Sequence, residues 1–156
     1  MIPRRLRIVL GVLLVAACAA RAQIAPLEEL ARFPRGAVEI VTRGATHRFD
    51  VWIADTPARQ SQGLMFVREL PADRGMVFLH DPPRPAGMWM KNTYIELDML
   101  FVARGRIARI AKRTQPHSLE TIAADAPVSA VIEIRGGEAE RRGLAVGNRV
   151  RIELPR

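Results

Sequence analysis

One short segment concentrates the side chains of this sequence that are suited to binding or catalysis. An indole, a thioether, an ammonium group, an amide and a hydroxyl follow one another directly, on Trp89, Met90, Lys91, Asn92 and Thr93. An indole offers a broad apolar surface, and the polar side chains supply directed donors and acceptors. Such a mixture is typical of a ligand-binding site. We therefore expect residues 82–93 to form the mouth of such a site.

Asp98 is the acidic residue best placed to complete it. It lies in residues 94–102, a strand-like run that is mainly apolar. A buried carboxylate requires hydrogen-bond donors. We expect Asp98 to be less than half exposed and to accept hydrogen bonds from residues 91–93. In one interpretation it braces the loop, and in the other Asp98 and Lys91 form a ligand or catalytic site.

Acid–base and metal chemistry have weaker support. Glu96 and Asp98 stand two residues apart, which is a spacing too common to indicate a catalytic carboxylate pair. The three histidines, His47, His80 and His117, lack metal-binding spacing. We predict no metal and no cofactor.

Two thioethers suggest one further hypothesis. Met88 and Met90 flank Trp89, and thioethers favour monovalent copper, with His80 or His117 as additional ligands. Methionine is more commonly a filler of irregular cores. We therefore interpret both methionines mainly as packing residues.

Most segments that must position these residues have the pattern of strands. Apolar and polar side chains alternate in residues 48–53 and 149–154, which indicates half-buried strands. Arg43-Gly44 and Arg104-Gly105 each separate two such runs and predict hairpin turns. The proline-rich residues 80–87 are interpreted as a long loop.

Two short helices complete the predicted elements. Thr56 is a suitable cap for a helix that starts at Pro57 and runs toward Gln62. A second helix is predicted over residues 137–142, with Gly143 ending it. The fold class is therefore mainly β (α+β), a small curled antiparallel sheet or partial barrel with two short helices. Its core is expected to contain Leu64, Met76, Phe78, Leu97, Phe101, Ile132, Ile134, Val150 and Ile152.

Several motifs together resemble a family of bacterial and archaeal proteins known as domain of unknown function 192. They are Gly63-Leu64-Met65, Gly75-Met76-Val77-Phe78, the run from Trp89 to Thr93, Leu97-Asp98, Ile132-Glu133 with Gly137, and Gly147-Asn148 followed by Val150. The resemblance spans residues 37–154. It implies a compact β-rich fold that is often exported and has no settled activity.

The first residues are typical of export. Three arginines precede the apolar residues 8–17, and Ala20-Arg21-Ala22 fits a cleavage site. Residues 15–18 also resemble a lipobox, so lipid attachment at Cys18 is the alternative. We expect a signal peptide over residues 1–22, a linker over 23–36 and a single domain over 37–154. The predicted location is periplasmic or secreted.

Composition narrows the possible partners. The formal charge is +8 and falls to +4 without residues 1–22, which hold four arginines. The other arginines are scattered with few aromatics, which favours a solvated surface over a nucleic-acid site. We expect a monomeric accessory domain that binds a small ligand or a cell-envelope component, with membrane contact only through a lipid on Cys18. The alternatives are a hydrolase or lyase using Asp98 and Lys91, and a structural partner of another envelope protein.

Overall fold

The computed structural model describes residues 27–155. The predicted signal peptide and Cys18 lie outside them. The elements are a 3-10 turn (Leu30–Arg32), β1 (Arg35–Val41), β2 (Thr46–Ala54), α1 (Pro57–Gln62), β3 (Arg74–Arg84), β4 (Gly87–Met88), β5 (Leu97–Ala103), β6 (Arg106–Thr114), β7 (Ile122–Ala123), β8 (Val128–Arg135), α2 (Glu138–Arg141) and β9 (Arg149–Glu153).

Seven strands close a barrel in the order β1-β2-β3-β8-β5-β6-β9, and β4 and β7 form a separate two-stranded sheet. The prediction of a mainly β fold with two short helices is confirmed. The barrel is closed rather than partial, and β2 pairs with β3 in parallel. A parallel pair needs a crossover connection, which here consists of α1 and residues 63–73.

Apolar side chains form two layers on the opposite faces of the barrel wall. Val38, Phe49, Leu100 and Ile132 belong to the cluster inside the barrel, and the outer cluster covers the other face of β3, β5 and β8. Residues 97–102 of β5 are buried without interruption, as expected for a strand covered on both faces. The predicted core residues are all buried except Ile152, which is only partly buried.

The hairpin turn at Arg104-Gly105 and the two short helices, which were predicted from local sequence patterns, are present in the structure. Arg104 and Gly105 both have positive φ in the hairpin between β5 and β6, as a tight turn requires. Thr56 caps α1 by accepting a hydrogen bond from the Arg59 N–H at 3.2 Å. The helix predicted at 137–142 is present as α2, one short turn after the left-handed Gly137.

The prediction of a long loop over residues 80–87 is wrong. Most of this stretch continues β3, which extends to Arg84. Its pairing with β8 shifts register between Leu79 and Arg84. Pro82 and Pro83 have no N–H to donate, so the strand continues through them with an interrupted ladder.

The described part of the predicted linker packs against the domain. Phe33 is buried in the outer cluster, and β1 already begins at Arg35. The Gln62 side chain holds Glu28 from both sides, since its amide donates to the Glu28 carbonyl and its oxygen accepts from the Glu28 N–H, both at 2.7 Å. Segment 27–34 is therefore part of the folded unit. Across residues 27–155, no helix combines the length and apolar character needed to cross a membrane.

Candidate functional site

A groove lies outside the barrel wall, between α1 with the residues that follow it and the segment from β4 to Thr93. It consists of three adjoining cavities of about 20, 330 and 750 Å³. Ser61 and Trp89 line all three. We call it the Trp89 groove. Its size is in the range of small-molecule sites, roughly 300–1,000 Å³.

The predicted loop residues divide between lining this groove and supporting it. Trp89, Lys91, Asn92 and Thr93 line it. The Trp89 indole is 47% exposed, and the Lys91 Nζ lies 5.0 Å from the centroid of its ring. Met90 is fully buried instead, and its sulfur accepts a hydrogen bond from the Thr114 hydroxyl at 3.1 Å. The interpretation of Met90 as a packing residue therefore fits its surroundings.

Asp98 does not line the Trp89 groove. It is fully buried, as predicted, but its carboxylate does not bond to residues 91–93. It accepts hydrogen bonds from the Arg113 N–H and the Ala139 N–H, each at 2.8 Å. The prediction of donors from the loop is wrong, because strand alternation turns Asp98 toward the barrel interior with Leu100. Asp98 holds β6 and the start of α2 together.

Glu133 is the acidic residue that lies at the inner end of the groove. Its neighbours across the sheet are Met76 on β3 and Met99 on β5. The residue is 4% exposed, and no group within residues 27–155 donates to its Oε2. Burial raises the pKa of this carboxyl to about 8, because desolvation disfavours the charged form.

His80 is a second unusual polar group. It lines the 330 Å³ cavity beside Gln60 and Arg84. Only 7% of it is exposed, and neither ring nitrogen has a hydrogen-bond partner within the described chain. Burial, followed by the nearby Arg84 charge, lowers the pKa of the imidazole. A neutral imidazole has one donor and one acceptor available for a ligand.

The backbone at the rim of the groove is strained. Phe66, Asn92 and His117 all have positive φ, of 64°, 55° and 63°. These residues belong to three segments that contact one another: the Phe66 N–H donates to the Asn92 carbonyl at 2.8 Å, and the His117 N–H donates to the Thr93 carbonyl at 3.2 Å. Positive φ is uncommon outside glycine, and it is least favourable for Phe66, because asparagine and histidine adopt it more readily. Strain of this kind clusters at functional sites.

An aromatic cluster extends the rim. The Phe66 and Tyr94 rings meet edge to face with centroids 5.8 Å apart, and the His117 ring lies 5.2 Å from Tyr94. The Arg68 guanidinium lies 5.0 Å from the centroid of the Tyr94 ring. This rim presents apolar surface together with cationic groups.

Metal ligation has little support in this geometry. Within the described part of the chain, no three His, Cys, Asp or Glu residues are grouped to hold a metal ion. Met88 lines the groove whereas Met90 is buried beneath it. A copper site at these two methionines stays a hypothesis, which titration of the protein with cuprous ion would test.

Sequence reasoning missed Glu133 and Ser61 as site residues and considered His80 only as a metal ligand. Glu133 is the only charged residue in the apolar run 128–134. This pattern could have indicated a buried carboxyl group. Ser61 had none, because a serine on a short helix is common. His80 stood in a stretch interpreted as a loop, and a surface position and a core position were both considered for it.

Comparisons with known proteins place the chain among uncharacterised relatives. The profile of the family described as DUF192, uncharacterized ACR, matches residues 38–152. No curated protein matches the sequence at a significant level.

The solved structures that are similar to this chain include two bacterial proteins. One, from Sinorhizobium meliloti 1021 and described as a proposed transcription regulator, is 39% identical with a TM-score of 0.74; the match covers 77% of this chain and 95% of that one. The other, a protein of unknown function from Novosphingobium aromaticivorans DSM 12444, is 36% identical with a TM-score of 0.76, and the match covers 81% and 91%.

Proposed function

This chain belongs to the DUF192 family of uncharacterised proteins, and on that premise we propose that it is a binding domain whose site is the Trp89 groove. The ligand is a small molecule with an apolar face and several oxygen acceptors, the chemistry of a cell-envelope saccharide fragment. One observation carries the proposal: an exposed indole stands over a groove whose inner wall holds buried polar groups that have no hydrogen-bond partner among residues 27–155.

Polar groups of this kind favour a ligand. A buried group without a hydrogen bond costs on the order of 1–3 kcal/mol. Glu133 and His80 both impose this cost, and both line cavities that adjoin Trp89. A ligand that bonds to them recovers part of that free energy. The apolar side of a sugar ring can pack on the indole while its hydroxyls bond to Lys91 and Ser61.

Catalysis is less well supported than binding. The two acidic residues that line the groove are Glu28 and Glu133. Glu28 is bonded to the Arg59 guanidinium at 2.8 and 2.9 Å, so it is not available as a base. Both carboxylate oxygens of Asp98 accept from backbone N–H groups, which argues against a hydrolase or lyase built on Asp98 and Lys91.

The shape of the site favours a small ligand over a protein partner. The exposed apolar residues Phe66 and Trp89 line a concavity rather than a flat patch. Convergent polar groups at the inner end of a concavity are typical of small-molecule sites. A structural partner of another envelope protein is therefore the less favoured alternative.

Transcription regulation, the role named in the description of the Sinorhizobium protein, has no matching feature in this groove. Six arginines of the described chain are held in ion pairs: Arg48, Arg59, Arg113, Arg135, Arg141 and Arg142 each lie within 3.4 Å of a carboxylate oxygen, and the last three share Glu138. Export to the periplasm or beyond remains our proposal, and it is supported by the arginine-led apolar segment and cleavage motif of residues 1–22.

The proposed site can be tested by titrating the protein with tri-N-acetylglucosamine and following indole and methionine-methyl NMR signals. We expect the Trp89 indole signal to shift while the Trp52 signal does not. Trp89→Ala should weaken binding at least about tenfold, because the central contact surface is removed. Leu119→Ala is the matched control, since Leu119 is 68% exposed and does not line the groove.

Two results would contradict this site. One is the absence of any signal change up to about 1 mM probe, where even a weak interaction of roughly 4 kcal/mol is detectable. The other is saturable binding that Trp89→Ala leaves unchanged.

A further inference from the structure

We propose that Glu133 recognises the ligand at the innermost point of the Trp89 groove, by donating a hydrogen bond from its carboxyl group to a carbonyl or hydroxyl oxygen of the ligand. The ligand class is thereby narrowed to neutral oxygen acceptors, of which an acetamido group is the best match. This inference rests on the function proposed above.

The geometry limits what can reach Glu133. It lines the smallest of the three cavities, about 20 Å³, together with Leu64, Phe78 and Met88. A space of that size admits about one water-sized group. A single oxygen atom fits, whereas a sugar ring or a second side chain does not. The body of the ligand must then lie in the wider cavities beside Trp89.

The surroundings keep this carboxyl neutral. Its cross-strand neighbours, Met76 and Met99, are apolar. Of the groove residues that α1, its following segment and the 88–93 segment contribute to this cavity, only Lys91 carries a charge. Burial is the cause of the pKa of about 8 for Glu133. Near neutral pH the group is therefore an O–H donor rather than a carboxylate.

The charge distribution disfavours a cationic ligand. A ligand ammonium group at Glu133 would share its cavity with Lys91, which belongs to no ion pair within residues 27–155 and lies over the Trp89 ring. Like charges close together repel. An acceptor-rich neutral ligand is compatible with both Lys91 at the rim and a protonated Glu133 inside.

The test measures the dissociation constant of tri-N-acetylglucosamine for the full chain at about pH 6 and about pH 9. Burial lowers the pKa of His80, so a smaller fraction of this imidazole is charged in this range than of a free histidine. At one pH unit above its pKa, about one tenth of the Glu133 carboxyl remains protonated, so binding to the parent protein should weaken about tenfold. Glu133→Gln keeps an N–H donor and should bind equally at both pH values.

Removal of the donor provides the second measurement. Glu133→Met should bind about tenfold more weakly than the parent at pH 6, because the ligand oxygen loses its partner. Glu140→Gln is the control, since Glu140 is an exposed glutamate outside the groove. Lys91→Gln should retain the pH dependence, which separates Glu133 from the rim ammonium.

The outcomes separate this inference from the proposed function. Binding that requires Trp89 but is unaffected by pH and by Glu133→Met overturns the role of Glu133 and leaves the groove as the site. Absence of any binding overturns the proposed function. In that case the carboxyl-carbon NMR signal of Glu133 still decides: titration near the ordinary glutamate pKa refutes a protonated donor, whether or not any variant folds.

Discussion

Two buried carboxyl groups in this protein have opposite surroundings. Asp98 receives two backbone N–H donors, whereas Glu133 receives none at Oε2 from the described residues. A carboxylate with two short donor contacts is part of the structural framework. A carboxyl without donors destabilises the fold at the pH where it ionises, which is a common property of binding-site residues.

Asp98→Ala tests the structural role. The substitution leaves the Arg113 and Ala139 N–H groups without their acceptor. We expect a loss of about 2–4 kcal/mol in the free energy of unfolding, since each unsatisfied group costs on the order of 1–3 kcal/mol. Urea denaturation measures it, with Glu140→Ala as the exposed control. A loss below about 0.5 kcal/mol, typical of surface substitutions, would contradict the assignment.

The pH dependence of stability tests the burial of Glu133. Its pKa is raised from 4.5 to about 8 on folding, so the folded state binds more protons than the unfolded state between these values. The contribution of Glu133 to stability is therefore lost as pH rises through this window, by about 1.4 kcal/mol per pH unit.

Glu133→Gln removes this dependence and is the matched comparison. The stability of the parent relative to the variant should fall steadily from about pH 5 to about pH 8 and then level off. Thermal or urea unfolding of both proteins at several pH values measures the difference in their stability. Parallel stability curves for the two proteins would show that the carboxyl is solvated.

At the residue scale, the sequence predicted the burial of Asp98 but not its partners. An isolated acid in an apolar run indicates burial, whereas its donors lie 15 and 41 residues away along the chain. No local pattern contains that information. Glu133 is likewise an isolated acidic residue in an apolar strand, β8. Its position in the groove depends on the pairing of β8 with β3 and β5.

At the element scale, features with local causes were predictable and those with tertiary causes were not. Thr56 and Pro57 defined the start of α1, and Arg104-Gly105 defined a hairpin. The continuation of β3 through two prolines was not predictable from local propensity. It depends on the renewed pairing of Arg84 with Val128.

Gly75 shows how closely the elements of the groove floor approach. A Cβ atom on Gly75 would collide with the backbone oxygen of Glu133 on the neighbouring strand β8. We expect Gly75→Ala to destabilise the fold by about 1–3 kcal/mol, because backbone must shift to relieve the overlap.

Gly44→Ala is the matched control for Gly75→Ala. Nothing lies within 4 Å of a Cβ atom at Gly44. The thermal unfolding midpoint of the Gly44→Ala variant should therefore stay close to that of the parent. Equal effects of the two substitutions, measured by thermal unfolding, would show that the strands separate without cost at the floor of the groove.

At the scale of the whole molecule, the class of the fold was predictable but its closure was not. Alternating apolar and polar residues predicted strands with one buried face. They did not predict that β8 lies between β3 and β5, because β8 follows neither of these strands directly in the sequence. The parallel pairing of β2 with β3 is likewise set by contacts distant in sequence. Register and order of this kind follow from the packing of the complete barrel.

The position of β8 has a consequence for recognition. The floor of the Trp89 groove is also part of the wall of the closed barrel. A movement of β8 would therefore change its pairing with both β3 and β5. A preorganised floor loses little conformational entropy when a ligand arrives. The segments around Phe66, Asn92 and His117, by contrast, lie in loops outside the strands of the barrel. We therefore expect strict discrimination of the group that reaches Glu133 and broad tolerance for the remainder of the molecule.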